Sequence, residues 1–302
     1  MSLPRHLIPG RTYMVTRRCT QRQFLLRPDS DTTQAFLYCL AYAAKVSGVL
    51  VVAFLAHSNH HHTIVVDKHG HLPRFLETFH KLLAKHQNAL RGRWENFWAS
   101  ESTSVVELVD AEDVLAKMVY ALTNPVKDHI IERASQWPGA SSLRANLDGT
   151  AITAKRPWRF FRKDDGLEES LSLRCHRPPG FENLSQSEWR KRLEEAVREV
   201  ETKAAHERNG TGRHVLGRHA VLRQRPTDRP RSNEPRRMLN PRVASVNKWA
   251  RIEALHRNKV FLAAYRAALD LWRAGKEAVF PSGTYWLHHF AGVPVGDLPA
   301  PA

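Results

Sequence analysis

Cysteine is scarce in this chain: only Cys19, Cys39 and Cys175 among 302 residues. Odd in number and widely spaced, they offer neither a disulfide framework nor a cysteine-rich zinc site, which fits a reducing cytoplasm. Long apolar runs are missing as well. The longest, Val46 to Ala56, is about half the ~20 residues that a membrane-spanning helix needs, so no membrane partner is expected. The opening residues MSLPRHLIPGRTY hold no hydrophobic segment of the secretory kind, so a cytoplasmic, nucleoid-associated location is expected. No glycine-rich phosphate loop of the nucleotide-hydrolase type occurs, which argues against a nucleotide cofactor. Acidic residues are also few: 30 Asp and Glu stand against 46 Lys and Arg, a formal net charge of +16. Such a field attracts polyanions, and nucleic acid is the commonest one in a cell. Charge alone leaves a merely solubilising surface open.

Periodicity gives the order of elements. Residues 11–20, RTYMVTRRCT, are β-branched and aromatic and predict a strand. Asp31 offers a helix N-cap, and Phe36, Leu37, Leu40, Ala41 and Val46 follow at helical spacing. VLVVAFLA at 49–56 is apolar on both faces, the pattern of a strand in mid-sheet. The turn His57-Ser58-Asn59 leads into a second strand, HHHTIVVD, at 60–67. Residues 72–90 are helical in pattern, 104–109 form a strand, and a helix begins after Asp110. The order β-α-β-β-α-β-α over residues 1–130 implies an α+β protein with a ferredoxin-like antiparallel sheet and helices packed on one face.

Beyond Ser142 the texture changes. Four segments are expected: a catalytic domain at 1–145, a loop-rich and helical connector at 146–209, a basic flexible tract at 210–245, and a C-terminal helix and tail at 246–302. The tract holds nine arginines against Asp228 and Glu234, with prolines interleaved. It reads as extended and unable to bury a core, a tether for a nucleic-acid backbone.

Two features carry chemistry. His60 and His62 sit at i and i+2 of a strand, so both imidazoles leave one face about 7 Å apart while His61 points the other way. Such a pair can ligate a metal, or can be incidental in a chain with 17 histidines. His69 and His71 lie in a loop that fixes no geometry, and they read as incidental. In the helix DAEDVLAKMVYALTNP, Val114, Leu115, Met118, Val119 and Leu122 form one apolar stripe. Tyr120 falls on the opposite side, about 170° away, with Asn124 one turn later on its own face. An exposed tyrosine and a helix-ending asparagine before Pro125 are the plain alternative. Taken together, magnesium or manganese held by two imidazoles and an amide oxygen would polarise a scissile phosphate. Tyr120 would attack it, leaving a 5′-phosphotyrosine and a free 3′-hydroxyl.

These residues resemble the single-tyrosine HUH transposases (His, hydrophobic residue, His), and within them the REP-associated tyrosine transposases. The resemblance runs over roughly residues 8–142: IPGRTYMVTRRCTQRQ is similar to the family's first strand, AFLAHSNHHHTIVV to its histidine strand, and VYALTNPVKDHIIERASQWPGASSL to its tyrosine helix and following loop. It implies Tyr120 as nucleophile, His60 and His62 as metal ligands, Asn124 as third ligand or helper, and single-stranded, hairpin-bearing DNA as substrate. Some members of the family serve their host rather than moving themselves. Two positions depart from the pattern: His61 replaces the central hydrophobe, and Met14 stands where relatives often have His. Candidate DNA contacts are Arg11, Tyr13, Arg17 and Arg18 on the first strand and Arg213, Arg218, Arg223 and Arg225 in the tract. A monomer or a homodimer is expected. The competing readings are a hairpin-binding protein that does not cut and an HUH relaxase or replication initiator. Tyrosine precedes the histidine strand in many of the latter, whereas Tyr120 follows it.

Overall fold

Strand pairing begins with β1, Arg11–Arg18, whose inward side chains Tyr13 and Val15 are buried. It pairs antiparallel with β3, His60–Asp67, on one side and with β4, Ser104–Leu108, on the other. The computed structural model describes residues 4–162, 166–231 and 241–297. Strand β2, Leu50–Ala56, continues the sheet beyond β3, and the two-residue β7, Val243–Ala244, adds to β4 in parallel, giving the order β2-β3-β1-β4-β7. Helices α1, Ser30–Ser47, and α2, Leu72–Arg91, connect the strands and share one face of the sheet. That is the ferredoxin-like α+β arrangement. The cap of α1 is Asp29, not Asp31: its carboxylate accepts from the Thr32 amide at 2.8 Å.

The expectation of helices on one face is corrected by the sheet's second face. Helix α3, Ala111–Leu122, lays Val114, Leu115, Met118, Val119 and Leu122 on it, and α6, Gln186–Thr211, adds Trp189, Leu193 and Val197. The stripe read from the sequence is thus the buried side of α3. Strand β2 is likewise corrected. It lies at the sheet edge rather than in mid-sheet, although both its faces are buried. Its free edge is covered by later chain: the Ala56 amide donates to the Ala140 carbonyl, the Ser142 amide to Phe54 O, and the side-chain carboxamide Nδ2 of Asn146, at the middle of α5 (Leu143–Asp148), to Val52 O. Covering replaces the neighbouring strand and removes a template for aggregation.

Two short pairings escaped the sequence. Strands β5, Ile152–Lys155, and β6, Ser170–Leu173, form a hairpin that buries Ala154, Leu171 and Leu173 against α1. The parallel β7 brings in α8, Lys248–Arg273, anchored by Arg257 on Glu107 at 2.6 Å and by His6 stacked on Phe261 at 4.4 Å. A last short helix, α9, spans Trp286–Ala291. All three cysteines are free thiols, and among the described residues no helix is long and apolar enough to cross a membrane.

His61 is fully buried between α1 and α2, ringed by Phe36, Phe79 and Trp98, with its Nε2 3.0 Å from His80 Nε2 and its Nδ1 3.0 Å from Thr63 Oγ1. Its polar atoms are therefore satisfied inside the core. Burial holds both His61 and His80 well below the ordinary 6.5. The unfolded chain then takes up protons that the native one refuses, so stability present above pH ~6.5 is lost as pH falls below it. Urea unfolding at pH 7.5 and 5.5 should show that loss. Replacing His61 with Ala should cost about 2–4 kcal/mol and shrink the pH dependence; equal pH dependence in both proteins would refute it.

Candidate functional site

The site follows from the register of β1 against β3. Thr16 faces His62, Arg17 faces His61 and Arg18 faces His60. Because side chains alternate, Thr16, Arg18, His60 and His62 share the face covered by α3. Tyr120, which is not part of the buried stripe of α3, brings its ring to this same place: it is 37% exposed and its centroid lies 5.5 Å from that of His62. The rings of His60 and His62 are 4.8 Å apart. Helix α3 ends at Leu122, and after Thr123 a separate turn, α4, Asn124–Lys127, carries Pro125 in its first turn. The helix thus stops two residues before the expected end at Asn124, because proline cannot continue the hydrogen-bond ladder. The Asn124 side chain still lines the cleft with Tyr120, His60 and His62 in a space of about 600 Å³.

Hydrogen bonds orient both histidines and fix the tautomer of His60. His60 Nδ1 lies 2.7 Å from the side-chain oxygen Oδ1 of Asn59, which can only accept, so Nδ1 carries the proton and Nε2 the lone pair. His62 Nδ1 is 2.8 Å from Thr16 Oγ1, and its Nε2 is buried with no hydrogen-bond partner. The Asn124 carboxamide oxygen is buried and unpartnered too. Burial holds His60 well below its ordinary 6.5, reinforced by His62 and His57, and pushes His62 down to about 3. Both imidazoles are neutral near pH 7, as metal ligation requires. Unpartnered buried acceptors cost free energy unless an electrophile meets them, so this donor set fits a hard divalent cation. Among the described residues no group of three or more His, Cys, Asp or Glu has metal-holding geometry; the set rests on a carboxamide.

Solved structures similar to this chain include a REP-associated tyrosine transposase bound to a REP hairpin, 18% identical, covering 49% of this chain and 86% of that one, with a TM-score of 0.39. A candidate transposase from Deinococcus radiodurans R1 is 17% identical, covers 41% of this chain and 97% of its own, and has a TM-score of 0.29. No family model and no curated protein matches the chain.

The sequence missed several residues of the cleft. His57 stacks on His60 at 4.9 Å and on Trp137 at 5.2 Å, and its Nε2 lies 3.6 Å from Asp128. Burial lowers it to about 4. Its Nδ1 accepts from the Ser58 amide, so Nε2 carries the proton toward Asp128. Lys127 sits over the Tyr120 ring at 4.5 Å and Lys117 at 5.7 Å. A turn histidine and two lysines give no sequence signal; only the fold gathers them.

The candidate DNA contacts scatter. Arg18 and Arg213 line the cleft. Arg17 points to the other face, over Trp98 at 5.1 Å. Arg11 pairs with Glu107 at 3.6 Å. Tyr13 is corrected: it is buried in the core and cannot reach DNA, and its phenol is pushed up by that burial.

Arg218, Arg223 and Arg225 are exposed, but their segment is not the free tether expected at 210–245. The Leu216 and Gly217 amides donate to the carbonyls of His129 and Ile130, Arg27 donates to Gln224 O, and the Phe24 amide to Asp228 O. Helix α7, Arg218–Arg223, buries Val221. Gln224 and Pro230 then wall the cleft. A few backbone hydrogen bonds and one valine suffice, which composition cannot foresee. Residues 232–240 of the tract, with Arg236 and Arg237, lie outside the described residues.

Limited tryptic digestion checks the docking. Cleavage after Arg218 and Arg223 should be slow in the parent chain and rise about tenfold or more in Val221→Asp, where a buried charge opens the segment. Equal rates would return the tract to a tether.

Proposed function

We propose that this chain is a metal-dependent, single-tyrosine DNA endonuclease and strand-transferase of the transposase type. Its substrate is single-stranded DNA that carries a hairpin. The observation that supports the reading best is the convergence of Tyr120, His60, His62 and Asn124 in one cleft, with His62 Nε2 and Asn124 Oδ1 buried and unpartnered. Those two atoms and His60 Nε2 would hold magnesium or manganese, which when bound supplies Lewis-acid polarisation of the scissile phosphate. Asn59 fixes the tautomer of His60, and Thr16, bonded to Nδ1 of His62, orients that ring with Nε2 turned to the cleft, the role of an outer-shell partner. Arg18, with Lys117 and Lys127, gathers positive charge where phosphate charge accumulates.

Tyr120 Oη attacks the phosphorus as the bond to the 3′-oxygen breaks. The phenol gives up its proton, the 3′-oxygen takes one up and leaves as a hydroxyl, and the 5′-phosphate stays on Tyr120. Attack by a 3′-hydroxyl of another end reverses the step and joins strands. One phosphodiester bond is exchanged for another, so the cycle consumes no ATP. The hairpin in the substrate rests on the resemblance of residues 8–142 to the REP-associated tyrosine transposases.

Incubation with an end-labelled hairpin oligonucleotide in magnesium should leave label covalently on the protein. Tyr120→Phe should abolish the adduct while binding and folding survive; an adduct of normal yield would sink the nucleophile assignment. His60→Ala, His62→Ala and chelation of the parent enzyme should each remove the adduct. Thr16→Val, which strips only the orienting partner of His62, should slow adduct formation by roughly 10–100-fold. An unchanged rate in Thr16→Val would show that this hydroxyl does not orient the ligand.

A further inference from the structure

Neighbouring residues of β1 open onto different clefts. Arg18 lines the cleft of Tyr120, whereas Arg17 lines a second one of about 570 Å³ on the α2 side of the sheet. Among the described residues none lines both. Its walls come from parts of the chain far apart in sequence: the N-terminal Arg5, Leu76 and His80 of α2, Tyr265 of α8, and Tyr285 and Trp286 at the start of α9. It exists only because α8 and α9 dock on the ferredoxin-like core.

The chemistry of the lining is selective. Among the described residues the lining holds Arg5, Arg17, Arg242 and Arg266 beside one carboxylate, Glu77, a balance that favours an anion. Arg5, Arg17 and Arg242 are half-buried. Arg242 is the like charge beside Arg5, and among the described residues no carboxylate forms a salt bridge with Arg5, Arg17 or Arg242. Arg17 Nε is buried with no hydrogen-bond partner, and its guanidinium lies over Trp98. Burial, with Arg242 beside it, lowers Arg5 to about 10, and burial lowers Arg17 equally to about 10. Half-buried like charges without a counter-ion are costly, and a phosphate accepting from several guanidinium groups would offset that cost. Aromatic rings supply the rest. Tyr265, Tyr285 and Trp286 line the same space; Trp286 is 49% exposed and backed by Phe290, nearly parallel at 5.3 Å. Rings beside arginines are the means by which proteins hold nucleobases with their phosphates. The volume is that of a small-ligand site.

We propose that this cleft binds a nucleotide, its phosphate on Arg17 and Arg242 and its base among Tyr265, Tyr285 and Trp286. The nucleotide is either free or one unit of a DNA strand, since both present the same base and phosphate. The absent glycine-rich loop does not exclude it, because guanidinium groups replace backbone amides as the phosphate donors.

The test is calorimetric titration of the full chain with dAMP, with inorganic phosphate, and with a single-stranded oligonucleotide that forms no hairpin. Binding of dAMP should saturate and weaken at least tenfold in Arg242→Gln and in Trp286→Ala. Trp286 is half exposed, so its loss leaves the fold standing and keeps the test decisive should Arg242→Gln unfold. Tyr120→Phe should bind dAMP like the parent chain, which separates this site from the phosphotyrosine reading. If the nucleotide belongs to a DNA strand, dAMP displaces the oligonucleotide and both variants weaken oligonucleotide binding; if it is free, neither happens. The proposal is overturned if dAMP fails to bind while the variants hold the oligonucleotide normally. It is also overturned if the variants bind dAMP as the parent does, or if inorganic phosphate binds as tightly as dAMP.

Discussion

The pairing of β1 with β3 governs the rest of the molecule. Opposing Thr16 to His62, Arg17 to His61 and Arg18 to His60 assigns each of six side chains to a face. Because a strand alternates with period two, a slip of one residue would exchange the faces wholesale. His60 and His62 would then enter the aromatic core, and His61 would be stranded beneath α3. The buried His61–His80 contact at 3.0 Å and the Thr16–His62 contact at 2.8 Å are available only in the observed register. The pairing is therefore locked from both sides of the sheet.

Burial gives this frame its electrostatic character. His57, His60 and His62 are all held below the ordinary histidine range by loss of solvent, so the cleft presents neutral imidazoles rather than imidazolium charge. Positive charge comes instead from lysine and arginine at the rim, where water still reaches it. That division places neutral acceptors inside and fixed cations outside.

The C-terminal half changes what the core can do. The segment carrying α7 closes one wall of the Tyr120 cleft through backbone hydrogen bonds to residues 129 and 130. On the other face α8 and α9 complete a cleft that neither half could form alone. Arginines that composition groups into one basic tract are thus distributed between a cleft wall, an exposed rim and the second cleft.

Where one periodic pattern suffices, the sequence was explicit. The boundaries of β3 and the buried stripe of α3 could be read directly, and so could the absence of Tyr120 from that stripe, because the period of a helix or strand is local physics. The residues His60, His62, Tyr120 and Asn124 were legible as candidates for the same reason. What packs against what was not. Val49 to Ala56 looked like a mid-sheet strand because both faces are apolar, yet coverage of its edge by residues 140–146 depends on contacts distant along the chain. Tyr13 looked available to DNA and is sealed in the core. The docking of 213–231 rests on a handful of long-range hydrogen bonds and one buried valine. Local spacing determined which side chains share a face; tertiary structure alone decided which faces meet, since that depends on the geometry of chain segments that no local period encodes.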